Sequence, residues 1–201
     1  MSLAPVLYEW TIEPFLKRIK RKIARIVSTE GLSPVLDLCC GTGKQVQFIH
    51  LRGMEVFGLD LDMPMLSFAR KKHSAAGWIC ADAGRLPFDK NRFMGIILSY
   101  ALHEKTAKER DQILIQVKRL LSPGGKVIFL EFENPWNRKS RLGWVVTWLI
   151  ERAAGGEHYA NGRQFLASGG LRSFIQKQGL HEIKSYNIEL ACSRIVVAAC
   201  R

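Results

Sequence analysis

The chain has 201 residues, of which 47% are hydrophobic and 24% charged, and its formal net charge is +12. This length and composition predict one globular domain over residues 1–201 and exclude disordered, collagen-like and solenoid architectures. The positive charge is spread along the chain. It favours anionic partners, such as nucleic acid, an acidic lipid surface or a phosphate-bearing substrate, without choosing among them.

Five cysteines, odd in number and without a C-x-x-C pair, indicate neither a disulfide framework nor a zinc finger. The first residues lack the charged start and apolar core of a signal peptide, so we expect the chain in a reducing cytoplasm. The longest strongly apolar stretch, Leu142 to Ile150, has nine residues. A bilayer-crossing helix needs about 20. We therefore predict no membrane span, and the His and Cys spacing predicts no metal.

Apolar residues recur every three or four positions between Glu13 and Thr29, which predicts an amphipathic helix. Pro14 stands near its first turn and Gly31 just beyond its end, as is typical of helix termini. The other face of this helix is rich in Lys and Arg. We expect that face to be solvated, with contact to an anionic surface as the alternative.

From Pro34 onward, short apolar runs alternate with helical stretches. The predicted strands are Val35–Leu38, Val56–Leu59, Trp78–Ala81, Ile96–Ser99 and Val127–Phe132, and the predicted helices are Lys44–Arg52, Pro64–His73 and Lys105–Leu121, the last ended by a Ser-Pro-Gly-Gly turn at 122–125. This alternation predicts an α/β fold with a Rossmann-like, doubly wound, mostly parallel sheet. Such sheets bind ligands beyond the carboxyl ends of their strands.

The C-terminal third has a different pattern. It predicts an irregular segment over 133–141, a helix over Leu142–Arg152, a break at Gly155-Gly156, a helix over Leu171–Gln178, and two strands, His181–Leu190 and Arg194–Cys200, joined by a turn at 191–193. The two strands predict a C-terminal antiparallel hairpin. Within the single domain we expect a basic helix over 1–33, a cofactor-binding core over 34–133, a substrate lid over 134–170, and a helix with the hairpin over 171–201.

A glycine-containing turn follows the first predicted strand, in the sequence Asp37-Leu38-Cys39-Cys40-Gly41-Thr42-Gly43. Gly41 and Gly43 let the backbone approach a ligand, and the next helix N-terminus offers N–H donors. Such a loop holds a nucleotide-like cofactor, although similar turns also merely connect a strand to a helix. Val46 stands where a dinucleotide fingerprint requires a small residue, which favours a smaller nucleoside ligand over NAD.

Acidic residues follow the next two strands. Asp60 stands at the tip of the second strand, where a carboxylate can accept from two ribose hydroxyls, and Asp62 is expected to cap the following helix. After the third strand, Asp82 can accept from an exocyclic amine, while Leu61 and Met65 supply apolar contact to a base.

Five ordered segments resemble the motifs of class I S-adenosylmethionine-dependent methyltransferases, in the branch that contains the ubiquinone/menaquinone biosynthesis methyltransferases. These segments are Asp37–Gly43, Gly58–Leu66, Ala81–Ala83, Ile97–His103 and Leu120–Lys126. The resemblance covers about residues 34–133. It implies a methyltransferase with S-adenosylmethionine as its cofactor.

The resemblance also implies roles for individual residues. It assigns Asp37, Gly41 and Gly43 to the methionine part, Asp60 to the ribose, Asp82 with Ala83 to the adenine, and Ser99 to the neighbourhood of the sulfonium. The whole predicted cofactor-binding set is Asp37, Cys39, Gly41, Thr42, Gly43, Asp60, Leu61, Met65, Asp82, Ala83, Ser99 and Tyr100. Cys39 replaces a glycine common in the first motif, which is tolerable if its φ is negative.

His103, His158 and Tyr159 are the candidate catalytic residues. His103, just past the fourth strand, is the leading general base if the acceptor is a phenol, an acidic carbon or a protonated amine. Its alternative is a capping or hydrogen-bonding role. His158 and Tyr159, expected in a loop over Gly155–Gly162, are a second candidate, and they can simply close the pocket.

The acceptor is predicted from the less similar region. Leu142–Ile150 carries two tryptophans beside several cations, which favours an interfacial helix or a lid over a lipophilic substrate, with core packing as the alternative. We predict a methyltransferase acting on a lipophilic or small-molecule acceptor, a quinone precursor or a phospholipid headgroup. The same pattern leaves open an anionic membrane surface as a partner and peripheral association with it.

Two other functions compete with this prediction. The net charge of +12 suggests an RNA or DNA methyltransferase, but Ser99-Tyr100-Ala101-Leu102 follows the fourth strand, where enzymes that methylate base amines carry an acidic or Asn residue, two prolines and an aromatic. A protein that holds S-adenosylmethionine without turnover is the non-enzymatic alternative. The sequence does not indicate whether the chain forms oligomers.

Overall fold

The computed structural model describes residues 4–11, 13–73, 76–154, 156–189 and 192–200. Its strands are β1 (Val35–Leu38), β2 (Val56–Asp60), β3 (Gly77–Cys80), β4 (Phe93–Ser99), β5 (Leu121–Phe132), β6 (Leu180–Ile188) and β7 (Ser193–Cys200). Its helices are α1 (Ala4–Thr11), α2 (Glu13–Thr29), α3 (Lys44–His50), α4 (Met63–Lys72), α5 (Ala107–Leu120), α6 (Arg138–Ala154), α7 (Gly156–Ala167) and α8 (Gly170–Lys177).

The seven strands form one sheet in the order β3-β2-β1-β4-β5-β7-β6. β1 pairs in parallel with β2, and β2 in parallel with β3. β7 runs antiparallel to both β5 and β6. The predicted Rossmann-like, mostly parallel sheet with a C-terminal antiparallel hairpin is therefore confirmed.

The chain divides into two compact units, and the boundaries between them fall within β4, α5 and β5. The first unit comprises Met1–Ile97 and Arg119–Gly125, and the second comprises Leu98–Lys118 and Lys126–Arg201. In the first unit all four residues of β1 are buried, and α2 buries Ile23, Ala24 and Val27. The second unit buries β5 residues such as Phe129 and β7 residues such as Val196, which face each other across the ladder.

The predicted bounds of α2 are confirmed, and the cause of its end is visible in the backbone. Gly31 adopts φ +62°, its N–H donates to the Ser28 carbonyl, and the Leu32 N–H donates to the Val27 carbonyl. This pair of hydrogen bonds is the Schellman arrangement, which satisfies the last carbonyls of a helix and favours glycine at the left-handed position.

The irregular segment predicted over 133–141 is wrong from residue 138 onward, because α6 begins at Arg138. Asn137 Oδ1 accepts from the Ser140 N–H at 2.8 Å, and Ser140 Oγ accepts from the Asn137 N–H at 2.9 Å. This reciprocal pair is a capping box, which starts the helix four residues before its first apolar run.

The loop predicted around His158 and Tyr159 is also wrong, because both residues lie in α7. Spacing of three and four places His158, Asn161 and Phe165 on one helical face. Phe165 is buried, and Asn161 Nδ2 donates to the Glu104 carbonyl at 3.0 Å. These tertiary contacts hold a helix in a glycine-containing segment whose local propensity is low.

The turn predicted at 122–125 lies inside β5, which begins at Leu121 directly after α5. Only Gly124, at φ +78°, keeps the left-handed backbone of a turn. The Arg92 N–H donates to the Leu120 carbonyl, and Ser122 Oγ donates to the Asn91 carbonyl. These contacts hold the segment extended.

α1 precedes the first helix that the sequence predicts. Of the other predicted features, Gly155, Leu190 and Ala191 lie outside the described residues, as do the side chains of 146–150 in the predicted lid. In the described ranges, no helix combines the length and the apolar character that a membrane crossing requires.

The φ of Cys39 is +57°, so the negative φ that would make a cysteine comfortable at this position is not found. The loop after β1 forces the left-handed region here, in which a Cβ lies close to the following carbonyl oxygen.

We predict that the Cys39→Gly variant is more stable than Cys39→Ala by about 1 kcal/mol, because both remove the sulfur and only the first removes the Cβ strain. Chemical denaturation of the two variants measures the difference. Equal stability would mean that the positive φ carries no strain.

Candidate active site

The glycine loop of the first unit is fastened to the tip of the neighbouring strand by one carboxylate. Asp60 Oδ2 accepts from the Gly41 N–H at 2.7 Å, and Asp60 Oδ1 accepts from the Asp62 N–H at 2.9 Å. A carboxylate has about four lone-pair positions, so each oxygen keeps one for a further donor. Asp60 therefore shapes the loop and can still accept from two hydroxyls.

The structure confirms the capping role of Asp62. Its Oδ1 accepts from the Met65 N–H at 2.9 Å at the start of α4, and Pro64 occupies the first turn. The hydrogen bonds therefore agree with the expectation that Asp62 caps the helix.

The two glycines of the loop have different surroundings. A Cβ added to Gly41, at φ +54°, meets no atom of the described part of the chain within 4 Å, so the space above this residue is open there. A Cβ added to Gly43, at φ +74°, would lie 2.3 Å from the Trp78 ring. Gly43 therefore lets Trp78 pack beneath the loop, whereas Gly41 leaves room above it.

The tip of β3 continues the same edge. Cys80 pairs with Asp60 in the parallel ladder, and the Ala81 N–H donates to the Asp60 carbonyl at 3.2 Å. Asp82 is exposed, and its Oδ1 accepts from the Gly84 N–H at 2.8 Å. Leu61 is 66% exposed at this edge, which leaves an apolar side chain beside two carboxylates. Met65 is half-buried and Ala83 is buried.

Asp37 is a buried carboxyl inside β1. Burial raises the pKa of Asp37 to about 7, with Lys20 opposing the shift and the nearby Asp60 and Glu13 adding to it. A carboxyl in this environment gains from a cationic ligand, because a positive charge favours its ionised form.

Sequence reasoning missed two residues of α2 that face this region. The Lys20 ammonium is buried and lies 2.7 Å from Glu13 Oε2. Gln45 Nε2 donates to the Lys20 carbonyl at 3.1 Å, which connects α2 to α3. Glu13 and Lys20 are seven residues apart and therefore lie on one face of α2. This spacing is the signal in the sequence, since charged residues rarely interrupt an apolar helix face.

One buried oxygen near the loop, Gln45 Oε1 in the first turn of α3, has no hydrogen-bond partner among the residues that the structure describes. Thr42, one residue after Gly41, instead has the Glu9 carboxylate as a neighbour. Buried polar atoms are normally hydrogen-bonded, so an orphaned oxygen next to an open loop indicates a polar ligand or water.

The second unit contains a buried carboxylate–imidazole pair. His103 Nδ1 lies 2.8 Å from Glu131 Oε1, and both side chains are almost fully buried. Glu131 Oε2 accepts from the N–H groups of Leu102 and His103, at 2.9 and 3.2 Å, and Oε1 accepts from the Phe132 N–H at 2.9 Å.

These hydrogen bonds orient the imidazole. Three backbone N–H groups donate to the Glu131 carboxyl group and hold it next to His103. In the tautomer in which His103 Nδ1 donates to Glu131, Nε2 is the basic nitrogen of the ring. A carboxyl group that orients an imidazole in this way is typical of a general base.

Sequence reasoning placed Glu131 at the end of β5 without a role. The groups that contact Glu131 belong to a loop that is far away in sequence, so no local pattern indicates the pair of Glu131 and His103. The guanidinium of Arg110, buried 5.0 Å above the Phe165 ring, adds a positive charge near Glu131.

His158 lies beside His103, and their ring centroids are 5.3 Å apart. His158 Nδ1 lies 3.5 Å from Glu104 Oε2. The structure thus brings the first two candidate catalytic residues together. Tyr159, the third, is half-buried on the same helix.

Ser99 ends β4 and Tyr100 follows it, and both belong to the second unit. The Ser99 hydroxyl is buried and has no hydrogen-bond partner among the residues that the structure describes. Tyr100 adopts φ +53°, its OH donates to Ser193 Oγ at 3.0 Å, and its ring centroid lies 5.0 Å from that of Phe132. A bulky residue with positive φ is uncommon and often marks a functional loop.

Comparisons with known proteins identify the family of the chain. A family model described as a methyltransferase domain matches residues 35–125. The ubiquinone/menaquinone biosynthesis C-methyltransferase of Cupriavidus metallidurans is 30% identical over 174 residues, which cover 77% of this chain and 70% of that protein. The chain belongs to the class I S-adenosylmethionine-dependent methyltransferases, in their quinone-biosynthesis branch.

Two cyanobacterial relatives, both named 2-phytyl-1,4-naphtoquinone methyltransferase, are also similar to this methyltransferase. The Thermosynechococcus vestitus protein is 29% identical over 81% of this chain and 79% of its own length. The Synechocystis protein is 35% identical over 57% of this chain and 52% of its own length, so that match spans about half of the relative.

Solved structures support the fold of the methyltransferase. The PH0226 protein of Pyrococcus horikoshii superposes with a TM-score of 0.70 at 19% identity, over 95% of this chain and 93% of that one. The magnesium protoporphyrin IX methyltransferase of Synechocystis, solved with bound SAH, gives a TM-score of 0.66 at 18% identity, over 92% of this chain and 83% of that one.

The residues of the first unit fit S-adenosylmethionine, the cofactor of this family. The space above Gly41 is open, Asp60 keeps lone pairs for two hydroxyls, and exposed Leu61 offers apolar contact to a base. The buried carboxyl of Asp37 suits the positive charge of the methionine ammonium.

We predict that Asp37→Asn makes the enzyme more stable at pH 8 than the natural protein, by about 3 °C or more in Tm. The pKa of Asp37 is raised from its ordinary 3.8 to about 7, so the folded protein binds more protons than the unfolded chain between those values. Natural stability is therefore lost as pH rises through about 7, and a neutral Asn avoids that loss.

Thermal melting at pH 5 and pH 8 tests this expectation, since at pH 5 the protonated Asp37 and an Asn are both neutral. The exposed Asp82→Asn variant is the control, with no comparable change between the two pH values. An equal Tm difference at both values would contradict the assignment.

We predict that Asp60→Ala weakens binding of S-adenosylhomocysteine at least about tenfold and lowers stability by about 1–3 kcal/mol, because it removes the acceptor of the Gly41 N–H as well as the hydroxyl acceptors. Calorimetric titration and denaturation measure both effects. Asp62→Ala, which removes only the helix cap, should cost about 1 kcal/mol of stability and leave affinity nearly unchanged.

Proposed function

We propose that this methyltransferase acts on a lipophilic quinone-type acceptor in its reduced, hydroquinone form. The proposal is supported by the relatives, whose names specify ubiquinone, menaquinone and phytyl-naphthoquinone biosynthesis. None of the similar proteins described above is named for a phospholipid headgroup. The phospholipid headgroup, which the sequence analysis gave as an alternative acceptor, is therefore not proposed.

When bound, S-adenosylmethionine would supply the methyl group of its sulfonium sulfur to a ring carbon, which would leave S-adenosylhomocysteine, and the proton of that ring carbon would pass to solvent. A hydroquinone ring becomes a good carbon nucleophile once one hydroxyl is deprotonated, so the acceptor side requires a base. Alignment of donor and acceptor can supply up to about 7–11 kcal/mol of the barrier.

His103 is the proposed general base, and Glu131 the residue that positions it. The observation that carries this assignment is the Glu131 carboxylate, which accepts three backbone N–H groups and the His103 Nδ1–H. We propose that Nδ1 donates to Glu131 and that Nε2 takes the hydroxyl proton. Glu131 acts through His103 and does not itself touch the acceptor.

His158 and Tyr159 are proposed to close the acceptor side. The centroid of the His158 ring lies 5.3 Å from that of His103 in an edge-on arrangement, so His158 lies beside the proposed base. Its Nδ1 lies 3.5 Å from Glu104 Oε2, a contact that helps to position the ring.

The cofactor assignments of the sequence are retained as proposals. Asp37, Gly41, Thr42 and Gly43 with Cys39 form the methionine side, Asp60 accepts from the ribose, and Asp82, Ala83, Leu61 and Met65 surround the adenine. Ser99 and Tyr100 are proposed to lie near the sulfonium. The orphaned Ser99 hydroxyl supports a polar contact for that residue.

A methyl-transfer screen with labelled S-adenosylmethionine tests the proposed acceptor. We expect label in reduced naphthoquinones or benzoquinones that carry an isoprenoid or phytyl tail, and none in the oxidised quinones. RNA and DNA are the comparison arms, because the net charge of +12 also favours them. Label in nucleic acid alone would overturn the quinone proposal while leaving the methyltransferase assignment intact.

We predict that His103→Gln and Glu131→Gln each lower kcat by about 10²–10⁴-fold, and that the double variant is no slower than the worse single variant. Non-additivity is expected because Glu131 acts only through His103. Single-turnover kinetics measure these rates, and affinity for S-adenosylhomocysteine should stay within about threefold.

The exposed Glu109→Gln change, at the start of α5, is the matched control and should leave kcat unchanged. Multiplying losses in the double variant would show two independent structural defects and contradict the dyad.

A further inference from the structure

The N-terminal helices expose three large apolar side chains. Trp10 is 79% exposed, Phe15 81% and Leu7 60%. Leu7 and Trp10 lie three residues apart on α1, and Phe15 lies in the first turn of α2. Exposed apolar side chains that lie singly need no explanation, but three within nine residues mark a surface that meets something apolar.

Cations follow directly on α2. Lys17, Arg18, Arg21 and Arg25 are all exposed, and helical spacing places Arg18, Arg21 and Arg25 along one face. Phe15 and Arg18 are three residues apart, so the aromatic ring and the first guanidinium are neighbours on the helix surface.

The two acidic residues of α1 and α2 are turned inward. Glu13 pairs with Lys20, and the Glu13 side chain is only 5% exposed. Glu9 pairs with Lys72 of α4, and the Glu9 side chain is 8% exposed. The outward charge of the two helices is therefore positive, and the ion pair to Lys72 holds α1 against α4.

We propose that this N-terminal face, defined by Leu7, Trp10, Phe15, Arg18, Arg21 and Arg25, docks the enzyme on a bilayer with anionic headgroups. Tryptophan and phenylalanine insert at the boundary between headgroups and acyl chains, and cations beside them attract anionic lipid. The two features together fit an anionic bilayer better than nucleic acid, for which an exposed leucine has no stacking partner.

The docking face goes beyond the proposed function, because it rests on the exposure and charge of α1 and α2 and on no step of methyl transfer. The docking face is separate in sequence from the interfacial helix predicted over Leu142–Ile150. In that helix, Leu142 and Val145 are exposed. A bilayer is also where a quinone with a long tail is found, so docking would bring the enzyme to such an acceptor.

Co-sedimentation with phosphatidylcholine vesicles, with and without phosphatidylglycerol, tests the proposal. We expect binding that requires phosphatidylglycerol and weakens as salt is added. Arg18→Glu/Arg25→Glu should weaken vesicle binding at least about 20-fold, since each cation near an anionic surface contributes about fivefold. Trp10→Ala should weaken it about tenfold, and Trp10→Phe should largely restore it.

The Lys108→Glu/Lys177→Glu variant changes the net charge by the same amount on exposed positions of α5 and α8 and should bind vesicles like the natural protein. Ile115→Ala, at an apolar side chain that is 63% exposed on α5, is the control for Trp10→Ala. Binding of S-adenosylhomocysteine by the docking-face variants should be unchanged, so loss of docking and failure of the cofactor site are distinguishable.

Three results would overturn the proposal. One is vesicle binding that does not depend on phosphatidylglycerol. Another is an equal effect of the control and docking-face variants. The third is binding of an RNA oligonucleotide, or self-association, that the docking-face variants abolish while no binding to vesicles is observed.

Discussion

The hydrogen bond from the Gly41 N–H to Asp60 Oδ2 is the constraint on which the cofactor side of this enzyme depends. It connects the turn after β1 to the tip of β2 and keeps the Gly41 backbone in the left-handed region with open space above it. The same carboxylate also accepts from the Asp62 N–H. One side chain therefore determines the shape of the loop, the start of the next segment and the position of its own remaining lone pairs.

The second unit uses a carboxylate at a strand end in the same way. Glu131, in β5, accepts the backbone N–H groups of Leu102 and His103 and so fixes the loop that follows β4. In both units a carboxyl side chain at a strand end accepts from backbone N–H groups of a neighbouring loop, which are costly to leave unpaired when they are buried. The difference lies in what remains: Asp60 keeps acceptor capacity for a ligand, whereas Glu131 orients an imidazole.

The buried charges of the first unit lower its stability. Asp37 and Glu13 lie near one buried ammonium, that of Lys20, and burial raises the pKa of both carboxyl groups. A buried carboxyl group destabilises the folded protein when it ionises. A nearby cation stabilises the ionised form of that group. The outward face of α2 has the opposite arrangement, since its cations stay in solvent and its acid is turned inward.

The sequence by itself determined the sheet, the cofactor and most of the first unit. Alternating apolar runs predict β1 to β4 to within a few residues, and Asp60, Asp62 and the glycine loop are local features of strand ends. Their positions follow from chain order, because parallel strands bring successive carboxyl ends to one edge. The resemblance in motif order then identified S-adenosylmethionine.

Only the tertiary structure shows the contacts and the exposure on which the proposed roles of Glu131, Lys20 and the N-terminal face rest. Glu131 and His103 are 28 residues apart in the chain, and no local pattern encodes their contact. The helical state of His158 depends on Phe165 and Asn161 finding partners elsewhere in the second unit. Whether Trp10 and Phe15 face solvent or the core depends on how α1 and α2 pack, since periodicity gives the face of a helix and not its neighbour.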